Sequence, residues 1–217
     1  DRSRLPEDFG TPEGHVTPGD RDWEACMTFN DISWGYVDEE QAKPYAYTPQ
    51  RILKMLSTCA RGGGNLLLNI GPRADGTIPE AEQDVLLQIG DWLRVNGEAI
   101  YETRPWRTFG EGPTEVPEGY FMDTKRAAFT GQDIRFTAKG NVLYAIALAW
   151  PGQDICIRSL ASGAGLPAER IRRISLLGGA DTLPWTQDER GLTVSMPAQQ
   201  PGFYAYALKI VCDCPVQ

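Results

Sequence analysis

Asn65-Leu66-Leu67-Leu68-Asn69-Ile70-Gly71-Pro72 is the run that decides the fold. It is apolar at consecutive positions, as in a strand covered on both faces within a parallel sheet, and Pro72 ends it. Upstream, Thr48-Pro49 opens a helix, since Thr can accept from a free N–H of the first turn and Pro is tolerated at the first helical position. Ile52, Met55, Leu56 and Cys59 then fall at i, i+3, i+4 and i+7 and give one apolar face. Gly62-Gly63-Gly64 stops that helix. The glycines follow a helix rather than precede one, and no Lys-Ser/Thr pair comes after them, so they read as a turn and not as a phosphate cradle. Downstream, Arg73-Ala74-Asp75-Gly76 is a tight turn and Thr77-Ile78-Pro79 opens a second helix. Its buried stripe is Val85, Ile89, Trp92 and Leu93, and Asn96-Gly97 closes it. Helix, apolar strand and helix with short links predict the α/β wall of a barrel or of a doubly wound sheet.

Residues 1–22 are rich in Pro, Gly and Asp, which predicts a long loop, and they hold the single histidine, His15. A lone loop histidine without a partner is read as solvated. A short strand is expected over Trp23-Glu24-Ala25-Cys26-Met27-Thr28, followed by Trp34-Gly35-Tyr36. Glu24 is the carboxylate that stands among these aromatics. A carboxyl set beside an indole loses hydration, which disfavours its charged form and suits it to general-acid chemistry. The plainer reading is a rim glutamate that follows a core tryptophan.

After Pro105-Trp106 the pattern changes. Prolines and glycines over 110–119 read as a linker, and short apolar or alternating runs follow at Ile134–Ala138, Val142–Trp150, Ile155–Leu160, Ile171–Leu177, Leu192–Met196 and Phe203–Val211. Turn signals such as Lys139-Gly140-Asn141, Pro151-Gly152 and Pro201-Gly202 separate them. Strands at this spacing without helices predict an antiparallel sandwich. The expected fold is therefore α/β and then all-β, with a first domain over 1–109 and a second over 110–217.

Composition limits the function. The 217 residues are 41% hydrophobic and 23% charged with a net charge of −8, an ordinary globular balance that argues against a nucleic-acid or anionic-membrane partner. No apolar run approaches the ~20 residues of a membrane helix. Asp1-Arg2-Ser3-Arg4 has neither an initiator Met nor a signal-type apolar segment, which reads as a chain cut from a longer one. The five cysteines are odd in number and scattered, which does not predict a disulfide framework. Cys212-Asp213-Cys214 lacks the further ligands of a zinc ribbon, and no metal or cofactor is expected.

The first half resembles the end of the catalytic barrel of the α-L-fucosidases, glycoside hydrolase family 29. The residues that carry the resemblance are Trp23 to Thr28, Ser33-Trp34-Gly35-Tyr36, Gly63-Gly64-Asn65 through Gly71-Pro72, Asp75-Gly76-Thr77-Ile78-Pro79, and Asn96-Gly97-Glu98-Ala99-Ile100-Tyr101. Their order over about 80 residues is more specific than any one of them. The resemblance implies the C-terminal portion of a (β/α)8-like barrel followed by a β-sandwich, the latter from architecture alone. It also implies a retaining exo-hydrolase that removes terminal α-L-fucose from a fucosylated oligosaccharide or glycoconjugate, with no cofactor.

The family pairs an Asp nucleophile with a Glu acid/base about 5–5.5 Å away, and the Glu of its Trp-Glu motif falls on Glu24. Its Asn-Asp-Arg motif is matched at the edge by Asp1-Arg2, which gives Arg2 a sugar-binding role. Trp34 is the expected wall for the C6 methyl and ring face of fucose. The nucleophile's Trp-x-Asp-Gly segment and the early sugar-binding histidines have no match. The chain is thus expected to hold about a quarter to a third of a barrel, to be inactive alone, and to need the missing N-terminal barrel portion or self-association. The competing reading is a non-catalytic carbohydrate-binding or accessory module built on the sandwich, with Trp150, Trp185 and Tyr204 as its aromatics. The absence of Asn-x-Ser/Thr sequons favours a periplasmic or extracellular setting over a lysosomal one.

Overall fold

A computed structural model describes residues 10–11, 22–30, 32–38, 40–41, 47–114, 128–179 and 181–216. Arg2 and His15 lie outside them, as does the second half of the expected linker, 115–119. The described chain forms two compact units, the first running to Asp91 and the second beginning at Trp92.

In the first unit, β1 (Glu24–Thr28) and β2 (Asn65–Asn69) pair in parallel, with Glu24 opposite Asn65 and Thr28 opposite Asn69. Between them runs α1 (Pro49–Arg61), making a βαβ unit. The Thr48 hydroxyl accepts from the Arg51 N–H and Pro49 takes the first turn, as the sequence requires. The buried face of α1 carries Ile52, Leu53, Met55, Ser57 and Cys59. Ser57 is buried by donating its hydroxyl to the Leu53 carbonyl at 2.8 Å, so Leu53 and Ser57 join the core where Leu56 was expected. Gly63 closes α1 at a φ of +73°, in the left-handed region that favours glycine. Gly64 is needed for another reason: a side chain there would run into the Trp23 indole, whose Nε1 donates to the Gly62 carbonyl at 3.0 Å. Gly62 and Gly64 thus form a socket for Trp23. From β2 the chain enters α2 (Glu80–Asn96), which contributes its first turns to this unit and its end to the next.

The second unit is a sandwich. One sheet has the order β3-β4-β5-β10-β7, made of Arg104–Glu111, Ile134–Lys139, Val142–Ala147, Tyr206–Cys212 and Ile171–Leu176. The other has the order β6-β9-β8, made of Asp154–Ile157, Gly191–Ser195 and Trp185–Asp188, and both are antiparallel. Ile134, Phe136, Leu143, Ala145, Leu208 and Ile210 of the larger sheet share one core with Ile155, Ile157, Leu192 and Val194 of the smaller. The other face of the larger sheet is buried too. Thr137 donates to the Ala99 carbonyl at 2.7 Å, and Trp92 Nε1 donates to the Ala205 carbonyl at 2.7 Å. Cover on both faces explains why Val142–Leu148 reads as continuously apolar rather than alternating.

Two strands differ from expectation. β3 occupies sequence read as the end of the first domain, so the boundary expected at 109/110 falls inside a strand bonded to β4. Pro105 hid it, because proline lacks the N–H a central strand needs; β3 is an edge strand, where proline is tolerated. β8 is the short edge strand Trp-Thr-Gln-Asp, which carries no apolar alternation.

Candidate active site

Strand geometry sorts the motif Trp23 to Thr28 onto two faces. Trp23, Ala25, Met27 and Phe29 are buried on the side of α1, and the Tyr47 hydroxyl donates to the Met27 sulfur at 3.9 Å on that side. Glu24, Cys26 and Thr28 are half-buried on the other face, which in a barrel lines the interior. Trp23 and Glu24 therefore point to opposite sides of β1. The indole expected to dehydrate Glu24 instead fills the glycine socket of α1. Across the ladder, Leu67 extends the interior face of β2 and is 39% exposed.

At the C-terminal ends of the two strands, side chains shape a loop. Asn30 is buried; its Oδ1 accepts from the Ile32 and Ser33 N–H groups at 2.9 and 2.8 Å, and its Nδ2 donates to the Gly35 carbonyl at 3.1 Å. Asn69, the last residue of β2, donates from Nδ2 to the Trp34 carbonyl at 2.8 Å. Two side-chain amides thus fix the backbone on either side of Trp34. Trp34 is 46% exposed and Tyr36 41%, and the Arg73 guanidinium lies 5.9 Å from the Tyr36 ring centre. Trp34 is no core residue: it stands on a tethered loop at the end of the strands where barrel enzymes place their sites.

Beneath this loop the Gly71 N–H donates to Glu82 Oε2 at 3.2 Å. Burial pushes the Glu82 carboxyl above the usual carboxylate range, against the pull of the Gly71 N–H and the Arg73 charge. Glu82 was missed in the sequence, although an acid three and seven residues before the stripe positions Val85 and Ile89 is a signal that can be read.

Glu24 opens β1, and its N–H donates to the Gly10 carbonyl at 2.8 Å. Gly10 also bridges Trp23 in parallel. The sandwich aromatics behave differently from Trp34. Trp150 and Trp185 pack against the sandwich core, Trp150 meets Tyr206 edge-on at 4.9 Å, and Tyr204 is half-buried at a φ of +76°. All five cysteines lie among the described residues, and none is in a disulfide.

A parallel βαβ layer with a tethered aromatic loop at its strand ends, followed in the chain by an antiparallel sandwich, is the order of elements expected for the end of a barrel and a C-terminal β domain. Comparison with known proteins makes this particular. Residues 3–98 match the family model "Alpha-L-fucosidase" and residues 128–211 match "Alpha-L-fucosidase C-terminal domain". The plasma α-L-fucosidase of Homo sapiens is 34% identical over 202 residues, covering 91% of this chain and 38% of the relative. The human tissue α-L-fucosidase is 32% identical over 196 residues, or 88% of this chain and 37% of that protein. The solved α-fucosidase of Thermotoga maritima in complex with a mechanism-based inhibitor superposes with a TM-score of 0.75 at 29% identity, over 97% of this chain and 44% of that one. The chain belongs to the α-L-fucosidase family of glycoside hydrolases, and it spans well under half the length of these relatives.

Proposed function

We propose that this chain is part of a retaining α-L-fucosidase and supplies the acid/base carboxylate and one aromatic wall of its sugar site. The observation that carries the reading is Trp34, exposed yet held by Asn69 and Asn30 at the strand ends of a layer matched to fucosidases. An aromatic face there suits the C6 methyl and apolar ring face of fucose. In the two-carboxylate mechanism, the protonated acid gives its proton to the leaving glycosidic oxygen while an Asp nucleophile takes the anomeric carbon. The resulting carboxylate then takes a proton from the water that releases the fucosyl-enzyme, and configuration is retained.

Glu24 is the acid/base of this reading, because it is the carboxylate on the interior face of β1. Its position favours a second assignment as well. Glu24 stands at the first residue of β1, four residues and about 13 Å of strand before the end that leads to Trp34. Barrel enzymes draw catalytic groups from the opposite, C-terminal end. Gly10 bridges Trp23 beside Glu24, and Glu13 is the first carboxylate after Gly10 in the sequence; Glu13 lies outside the described residues.

The nucleophile and the Arg that binds sugar complete the site, Arg2 being the residue matched to the latter. The nucleophile comes from a Trp-x-Asp-Gly segment outside these 217 residues, so the chain by itself turns over no fucoside. The experiment is an assay of aryl α-L-fucoside hydrolysis by the 217 residues alone and by the longer protein that carries them, with the product anomer read by NMR. Turnover only in the longer protein, with α-L-fucose released first, supports the reading. Activity in the short chain or initial release of β-L-fucose contradicts it.

A further inference from the structure

We propose that Glu82 is a positioning residue for the Ile32–Tyr36 loop, holding Trp34 in place from beneath through the backbone of Gly71. The inference rests on the reading of Trp34 as a sugar wall. Glu82 is 3% exposed, the buried acid among the described residues of the first unit. It sits on the core-facing stripe of α2, where an apolar residue would avoid the cost of dehydrating a carboxyl. In return it gives the buried Gly71 N–H an acceptor. A buried N–H without one is costly, so the strand exit would shift to find another partner.

Such a shift cannot stay local. A side chain on Gly71 would stand 3.1 Å from the Gly35 carbonyl oxygen and 3.3 Å from Tyr36 Cα, so the two backbones already touch. Two residues before Gly71 on the same strand exit, Asn69 holds the Trp34 carbonyl. Any movement at Gly71 therefore reaches the loop by backbone contact and through the Asn69 amide. Glu82 touches no sugar in this arrangement; it acts through Gly71.

Hydrogen exchange read by mass spectrometry, together with acrylamide quenching of Trp34, tests this on the protein and its Glu82→Gln and Glu82→Met variants. The Trp34 signal is isolated by difference against Trp34→Phe. Gln keeps an acceptor for the Gly71 N–H, and Met fills similar space without one. Glu82→Met should speed exchange at Gly71 and over Ile32–Tyr36 on the order of tenfold and raise the quenching of Trp34, while Glu82→Gln restores both. Exchange in Ala25–Met27 and in Ile134–Ala147 should not change. Unchanged loop exchange in Glu82→Met overturns the proposal. So does an equal rise over Ala25–Met27, which would make Glu82 a packing residue of the whole layer. Added L-fucose should shield Trp34 in the unaltered protein. If it does not while the Met and Gln variants behave as stated, the positioning role stands and the sugar-wall reading is the one that fails.

Discussion

The two units bury their strands differently. In the sandwich, β4, β5 and β10 are covered on both faces, and Phe136, Ile134, Leu143 and Ile210 are closed to solvent. In the first unit β1 buries only the side facing α1, while its other face is half-exposed and continues into Leu67. The sandwich is held by apolar packing. The loop at the strand ends of the first unit is held by directed polar contacts from Asn30 and Asn69, while Glu82 accepts from the Gly71 N–H at the strand exit. Packing tolerates many apolar sequences of similar volume, whereas a side-chain amide clamp needs a particular residue at a particular place. This difference explains why the short motifs readable in the sequence gather in the first unit.

The sharpest break of this contrast is a matched pair of truncations. Phe136→Ala should cost about 4 kcal/mol in urea unfolding, the range for emptying a closed aromatic site. Leu67→Ala, on the open face of β2, should cost less than about 1 kcal/mol in the same experiment. An equal loss at Leu67 would mean that the interior face of β2 is covered in solution.

Asp133 is the polar anchor inside the sandwich. It is 1% exposed and accepts the N–H and hydroxyl groups of both Thr114 and Thr130. Burial pushes its carboxyl up, and those hydrogen bonds together outweigh burial and hold it below the usual range. Asp133→Ala should cost about 3 kcal/mol near neutral pH, because four donors lose their acceptor. A folded-state value below the unfolded one places this contribution above the ordinary aspartate range, with loss as the pH falls through the folded value. The gap between Asp133→Ala and the parent should thus narrow in acid, as followed by urea midpoints.

Gly64→Ala tests the socket in the first unit. The added methyl meets the Trp23 ring, and overpacking of this kind costs about 1–3 kcal/mol. A shift in tryptophan emission should accompany it. The smallest effect is that of Glu82→Gln, under about 1 kcal/mol. The Glu82 carboxyl is raised, so its ionisation in the fold weakens stability as the pH climbs from the ordinary glutamate range through the folded value. Glu82→Gln removes that loss, and its advantage should appear at neutral pH and vanish in acid.

Much of this architecture was legible in the sequence. Thr48-Pro49, the spacing of Ile52, Met55 and Cys59, and the run 65–72 placed α1 and β2, since capping and periodicity are local signals. Trp34 could be named because Ser33-Trp34-Gly35-Tyr36 is a motif. The placement of Trp23 against Glu24 failed for a simple reason: sequence neighbours in a strand face opposite ways. β3 and β8 were hidden because edge strands need neither alternation nor a full set of N–H donors, and their pairing with β4 and β9 is long-range. The Asn69 and Glu82 contacts join residues 35 and 11 apart, which no local pattern reports.

Chemical rescue of the acid/base tests the functional account most directly. Glu24→Ala and Glu13→Ala, made separately in the longer protein, are assayed on a natural fucosyl linkage and on an aryl fucoside with a good leaving group, with and without azide. The account predicts that one of the two loses at least about 100-fold more turnover on the natural linkage than on the aryl fucoside. In that variant azide should speed the aryl reaction and yield fucosyl azide. Losses equal on both substrates in both variants, with no azide effect, would contradict the claim that this chain carries the acid/base.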